Sequence, residues 1–475
     1  MMEKRMIQRI GALSALAALV SLGACSGGGG SSAPRVLSPT VPTAVRIVGI
    51  GDSLTAGVQS QSLMGANIAP NPIPGSPYPF IQATQPHGFW ALLWSQLNGG
   101  VDPGNPAISP LPLIAPPGLG QILVPTATGG LTSVSTLCGQ QNANAFAFST
   151  ALNARINPGT TPFDVAVPGQ TMHEALFQIQ PTTPCAAPPG PIGALSGVVF
   201  PESLNILPVL ANFGQNVTQV QAALALKPTI TTVWLGSNDV VKFVFSGGQV
   251  VPTDPAALGA DATSIAQQLK SAGSKVLMAN LIDVLNAATF LPQKAVGPVI
   301  TGRLIGAGVP ASAASAIAAN VVSSLQTTYG VGSGGYLTIS GLAKILGALA
   351  VQQPYQLAPA GDYVSDALAA QTQALNDAYN AAIGAAAQAT GSTLVDVHAA
   401  TAASFAAGGL PINPPKCCNF QYGGGYFSLD GLHPSNTGYA VLANIFIDTM
   451  NKAYGMTVPD VNVAAIYATD IYAPH

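Results

Sequence analysis

The sequence predicts an α/β fold, a parallel sheet covered by helices on both faces. Two observations carry this. Short Val-, Ile-, Leu- and Thr-rich runs, each bounded by Gly, Pro, Ser or Asp, alternate with longer amphipathic stretches. The first run also ends directly in Gly51-Asp52-Ser53, which places a small hydroxyl at the carboxyl end of a strand, where such sheets carry their functional groups.

The elements follow in order. Val45–Ile50 reads as the first strand and Phe89–Leu97 as the first long helix. Phe163–Val167 is the second strand, followed by a helical pattern over Ser203–Leu226. Thr229–Leu235 and Lys275–Asn280 are strands, separated by a helix over Pro255–Ser271. Tyr363–Ala389 is a long helix, Thr393–Val397 the fifth strand and Asn436–Asn451 the last helix. Three stretches exceed a minimal sheet. Gln59–Pro86 and Gly99–Gly130 are rich in Pro and Gly, and Leu291–Pro354 reads as inserted helices and loops. Insertions of this length at a catalytic face often build clefts, so at least one is expected to flank Ser53. There is no internal repeat.

Composition narrows the class. The chain has 475 residues, 48% hydrophobic and only 7% charged, with a mean hydropathy of +0.41. Beyond the N-terminus no apolar run reaches the roughly 18 residues of a membrane helix. Net charge is −3 with no basic patch, which argues against nucleic acid as a partner.

Residues 1–25 read as a targeting segment. Lys4, Arg5 and Arg9 precede an apolar stretch, Ile10–Leu22, that ends in Leu22-Gly23-Ala24-Cys25. That ending is similar to a bacterial lipobox. The similarity implies cleavage before Cys25, lipidation of its thiol and anchoring to a membrane, each buried CH₂ adding about 0.8 kcal/mol. Ser26 follows, where an aspartate would suggest inner-membrane retention, so the expected location is the outer membrane, facing periplasm or surface. Residues 26–44 form a flexible Gly/Ser/Pro tether, 45–455 the main domain and 456–475 a C-terminal tail. Export leaves Cys138, Cys185, Cys417 and Cys418 in an oxidising compartment, with three pairings open. The Cys417-Cys418 pair is expected to join a disulfide near the Asp430–His433 loop, with Cys138–Cys185 the favoured other bridge.

Four separated motifs stand out: Gly51-Asp52-Ser53-Leu54; Asp164 to Gly169, ending Ala166-Val167-Pro168-Gly169; Gly236-Ser237-Asn238-Asp239; and Asp430-Gly431-Leu432-His433-Pro434. Three of them close or follow expected strands, and the fourth precedes the last helix. Together, and in this order, they resemble the signature blocks of the SGNH, or GDSL, hydrolases. The resemblance spans roughly residues 45–455. It implies a three-layer α/β/α flavodoxin-like fold with a five-stranded parallel sheet, and a serine esterase or lipase that needs no metal or organic cofactor. The second block usually begins with Asn; Asp164 stands there and is read as structural.

The residue types suit that chemistry. A serine hydroxyl needs a base, which His433 can supply, and Asp430 can reach the other ring nitrogen from three residues away. The family pattern makes an oxyanion hole of the Ser53 N–H, the Gly169 N–H and the Asn238 amide. Asp52 and Asp239 are expected to hold loop backbones. His87, His173 and His475 are read as helix-start or tail residues. His398, in Val395-Asp396-Val397-His398, is the one competing base, with Asp396 expected to cap the turn. Pro434 is expected to open the last helix, whose apolar face of Tyr439, Leu442, Ile445 and Phe446 should dock on the sheet. Tyr422, Tyr426 and Phe427 could line an acyl or sugar pocket. No G-x-S-x-G occurs, which argues against a nucleophile elbow. The expected activity is carboxylic ester hydrolysis through an acyl-enzyme on Ser53. A carbohydrate O-acetylesterase on the same fold is the alternative. A non-catalytic surface lipoprotein would be expected to lose Ser53, Asn238, Asp430 or His433, and none is missing.

Overall fold

The computed structural model describes residues 45–116, 118–120, 122–125, 131–134, 155–178, 209–214, 216–410 and 418–474. The proposed signal segment and tether, with Cys25, Cys138, Cys185 and Cys417, lie outside them. Cys418 is disulfide-bonded.

Four strands form the central sheet: β1 (Ile47–Gly51), β2 (Ile230–Trp234), β3 (Lys275–Ala279) and β4 (Thr393–Val395). They pair in that order and all in parallel, with Ile47 opposite Ile230 and Thr231 opposite Val276. Successive side chains alternate between two cores, as the period of a strand requires. Val48, Ile50, Val233, Val276 and Met278 enter one. Ile47, Ile230, Trp234, Leu277 and Ala279 enter the other. Each core is closed by helices, which explains why β1 and β2 are buried along their whole length and β3 from its second residue on.

On one face lie α3 (Met172–Phe177), α4 (Gln219–Ala225), α6 (Pro255–Ser271) and α7 (Asp366–Thr390). On the other lie α2 (Phe89–Leu97) and α8 (Asn436–Tyr454), where Phe89 stacks on Phe446 with ring centroids 4.6 Å apart. Tyr439, Leu442 and Phe446 are buried there, and Ile445 packs at the margin. The α1 helix (Ser53–Ala56) and α5 (Ser237–Phe245) begin at the carboxyl ends of β1 and β2.

The expected second strand, Phe163–Val167, is an extended edge rather than a regular strand. It bonds to β1 in parallel through Gly49 N–H to Phe163 O, Val165 N–H to Gly49 O and Val167 N–H to Gly51 O, each at 3.0 Å. Its outward N–H groups find no further strand among the described residues. Pro110 O accepts from Phe163 and Asp164, and the Asp164 carboxylate accepts from Ala166. Asp164 thus closes an edge, at the cost of a buried carboxyl pushed well above its ordinary pKa. With this edge the spatial order is second, first, third, fourth, fifth, the flavodoxin-like arrangement. Its crevice opens beyond the carboxyl ends of β1 and β2, where the chain leaves the two strands for opposite faces, toward α2 after β1 and toward α6 after β2.

Several expectations are corrected. Of the pattern expected over Ser203–Leu226, residues 203–208 and 215 lie outside the described residues, 209–210 are helical and Ala211–Phe213 is a 3₁₀ turn; the pattern is not one helix, because Gly214 breaks the path and a Thr218/Gln221 capping box starts α4 anew. The helix drawn from Tyr363 starts at Asp366, because Ser365 caps it and Tyr363–Val364 is a strand. Pro434 does not open α8; Ser435 is the N-cap and accepts from Gly438 N–H at 3.2 Å. The stretch 456–474 is no loose tail. Asn444 and Asn451 bind its backbone, and buried Asp470 accepts from Thr437 N–H and Oγ1 at the start of α8. Leu291–Pro354 contains helices Gln293–Gly306, Ala311–Tyr329 and Ile339–Ala350 around their own apolar cluster. It also contributes to a three-stranded antiparallel sheet that the sequence reading missed. Among the described residues no helix is long and apolar enough to cross a membrane.

Candidate active site

β1 delivers Ser53 to the rim of the crevice. Asp52 caps α1, its carboxylate accepting from Leu54 N–H at 3.0 Å, so the chain turns sharply and Ser53 becomes the first helical residue. Gly51 has no room for a side chain: a Cβ there would collide with the Thr55 side chain and lie 3.0 Å from Trp234 O. Ser53, Gly169, Asn238 and His433 all line one cleft, and Asp430 stands behind His433.

The Asp430–His433 loop is a tight turn closed by Ser428 N–H to His433 O at 2.8 Å and Gly431 N–H to Ser428 O at 2.9 Å. Gly431 has a φ of +67°, and a Cβ there would lie 2.9 Å from Thr289 N. Asp430 Oδ2 accepts from His433 Nδ1 at 2.8 Å, and both residues are buried. A carboxylate only accepts, so in the neutral ring Nδ1 carries the proton and Nε2 keeps its lone pair. Burial by itself raises the Asp430 pKa. The charge of His433 and hydrogen bonds from its ring and backbone outweigh burial and hold the carboxyl below its ordinary value.

Asn238 is the second residue of α5, which starts at Ser237 after the left-handed Gly236 (φ +112°). Its amide nitrogen donates to Gln170 O at 3.0 Å and to Asp52 Oδ2 at 3.2 Å, so both protons are engaged. Asp52 is fully buried, and burial pushes its carboxyl up to about 7 against the lowering pull of Leu54 N–H and of His433. Gly169 takes a φ of +88° as the edge segment turns into α3. Asp239 fixes that turn by accepting from Met172 N–H at 3.1 Å. Asp52 and Asp239 therefore hold loop backbones.

His398 is set apart. It does not line the cleft, and its backbone N–H donates to Asn280 Oδ1 at 2.9 Å. Asp396 caps the following helix through Ala399 N–H and accepts from Asn280 Nδ2 at 2.8 Å. Of the aromatic trio only Phe427 reaches the cleft; Tyr426 is buried in a neighbouring core and Tyr422 donates to Leu429 O.

The expectation for the insertions is revised. Neither Gln59–Pro86 nor Leu291–Pro354 lines the cleft; Ile282, Val284, Ala287 and Asn376 form its far wall. Both segments instead brace the acid loop. Gln61 N–H donates to Asp430 Oδ2 at 2.9 Å, and Ser60 N–H donates to Ser428 Oγ at 2.8 Å. From the other side Thr289 N–H donates to Gly431 O at 2.8 Å, and Ile339 N–H to Thr289 O at 3.0 Å.

Three glutamines also escaped the sequence reading. Gln219, fully buried on α4, accepts from Gly51 N–H at 2.6 Å and donates to Gly51 O at 2.9 Å and Gln170 Oε1 at 2.6 Å. It ties the strand end before Ser53 to the loop after Gly169. Gln170 donates onward to Gln178 Oε1 at 2.8 Å. No local pattern marks these residues, because helix-start and loop glutamines are common.

The sequence profile of the GDSL-like lipases/acylhydrolases matches residues 47–446. The chain belongs to this family. As a member it is a hydrolase of the class that cleaves esters. None of the curated proteins matches it. Among solved structures it is similar to a candidate GDSL-like lipase from Parabacteroides merdae, at 9% identity over 85% of this chain and 94% of that one, with a TM-score of 0.34. It is also similar to TesA, at 16% identity over 51% of this chain and 83% of that one, with a TM-score of 0.22.

Proposed function

We propose that this hydrolase cleaves carboxylic esters through an acyl-enzyme on Ser53. The observation that carries the reading is the cleft itself. Ser53 and His433 face it together, with the His433 ring oriented by the 2.8 Å bond to Asp430. His433 Nε2 takes the Ser53 proton as Oγ attacks the ester carbonyl, and the resulting imidazolium faces the Asp430 carboxylate. The oxyanion is met by the N–H groups of Ser53 and Gly169 and by Asn238 Nδ2. Asn238 makes this donation by yielding its longer bond, the one to Asp52. His433 then returns the proton to the leaving alkoxide, the acyl-enzyme forms, and an activated water releases the acid. The apolar walls Val240, Val241 and Phe427 suit an acyl chain better than a sugar.

A fluorophosphonate probe tests the assignment. It should modify Ser53 stoichiometrically, fail in His433→Ala and still react in His398→Ala. The reverse pattern overturns it. The segment Leu22–Cys25 supports an exported, lipid-anchored protein, probed by Cys25→Ser. The variant should leave the membrane fraction, and one that still floats with membranes after a salt wash refutes the anchor.

A further inference from the structure

The far wall of the cleft carries a polar group that the reaction does not use. Asn376, on α7, is 1% exposed and lines the cleft, yet neither its Oδ1 nor its Nδ2 has a hydrogen-bond partner among the described residues. Its neighbours on the same helix show what is unusual. Asn380, one turn on, is fully engaged with Leu281, accepting from its N–H at 2.7 Å and donating to its carbonyl at 3.1 Å. Thr372, one turn back, donates to Leu368 O at 2.7 Å. Buried side-chain amides are normally paired, because an unpaired one forfeits its hydration without compensation. Here the orphaned amide belongs to a residue that lines the cleft beside the apolar Val240, Val284 and Ala287. Asp283 lines the same cleft, and its Oδ1 also lacks a partner among the described residues.

We infer that Asn376 is a specificity residue that recognises a hydroxyl on the acyl chain, so that the preferred substrates are esters of hydroxyalkanoic acids. A hydroxyl is the smallest group that accepts and donates at one atom. It can accept from Asn376 Nδ2 and donate to Asn376 Oδ1 or Asp283 Oδ1, while the methylenes on either side meet the apolar wall. A plain acyl chain would seal the amide against hydrocarbon and leave both its atoms unpaired. Sites built to bond a hydroxyl discriminate strongly against the analogue that lacks it. The Asp283 carboxyl, held up by burial and lowered in part by His398, disfavours a substrate carboxylate in the same place.

The inference rests on the esterase reading for its substrate, and the test separates the two. Ethyl hexanoate and its 3-, 4- and 5-hydroxy derivatives are compared in two ways: by kcat/KM in the parent, and by calorimetric binding to Ser53→Ala, which recognises but cannot acylate. At least one hydroxy ester should exceed ethyl hexanoate by about 10- to 100-fold in both measurements, the ratio expected from the cost of leaving a buried amide group unpaired. Asn376→Leu, close in volume and apolar, should shrink that ratio to about one or invert it, chiefly by improving the plain ester. A ratio near one for every derivative in Ser53→Ala overturns the inference whatever the hydrolysis assay gives. So does a preference that survives Asn376→Leu. Selective binding without hydrolysis by the parent upholds the recognition site and overturns the esterase reading instead.

Discussion

Replacing Asp430 by Asn exchanges one oxygen for an NH₂ at almost constant volume. Five donors converge on the parent carboxylate. Oδ1 accepts from Leu432 N–H and His433 N–H, both at 2.8 Å, and from Ser428 Oγ at 3.2 Å. Oδ2 accepts from Gln61 N–H at 2.9 Å and His433 Nδ1 at 2.8 Å. The asparagine oxygen can serve only one of these groups. Keeping the first three turns the NH₂ toward Gln61 N–H and the imidazole. Gln61 N–H then has no acceptor, and Nδ1 must surrender its proton to accept from the new amide. The proton moves to Nε2, which can no longer take one from Ser53. The expected fall in kcat for a short p-nitrophenyl ester is about 10³–10⁴, with KM within about threefold.

Stability should drop as well. One or two unpaired buried donors at about 1–3 kcal/mol each give about 1–6 kcal/mol, read from urea unfolding. The sign with pH follows from the lowered Asp430 pKa. A depressed carboxyl stabilises the folded state above its unfolded pKa, and that contribution disappears as pH falls through the lower folded value. The parent's advantage over Asp430→Asn should therefore be complete above about pH 4 and shrink in stronger acid. A variant with kcat within tenfold of the parent would refute the tautomer argument. An advantage that grows as pH falls would refute the electrostatic one.

Asp52→Asn carries the opposite sign, because burial raises the Asp52 carboxyl from 3.8 to about 7. The parent should lose up to about 4 kcal/mol between pH 4 and pH 7 from this group, while the variant should be correspondingly flatter over that window; equal slopes in denaturant titrations would show that Asp52 is not a strained buried acid. Gln219→Leu strands Gly51 N–H and Gln170 Oε1 in the core, while Gly51 O keeps the bond from Val167 N–H. It should cost about 2–6 kcal/mol in urea unfolding and lower kcat more than KM, while an unchanged midpoint would remove Gln219 from the support of Ser53.

The sequence by itself determined the strands, the motifs and their order. Those features are local. A strand over Ile230–Trp234 follows from side-chain alternation and flanking breakers. A serine after Gly51-Asp52 is placed at the strand end by its own cap, and Asp430 reaches His433 within one turn. Periodicity and short spacing record such effects. The tertiary structure decided what holds these parts in register. Gln61 N–H meets Asp430 across 369 residues of chain, Gln219 meets Gly51 across 168, and Asn238 meets Gln170 across 68. These bonds use backbone N–H groups and amides that every stretch of sequence contains, so nothing local distinguishes the ones that matter. The edge segment Phe163–Val167 was legible as extended chain. Only packing decided that Pro110 O and the Asp164 carboxylate, rather than another strand, would satisfy its outer N–H groups. Asn376 is the extreme case. In sequence it is one more polar residue in an alanine-rich helix, and its orphaned amide exists only because folding buries that face of α7 against the cleft.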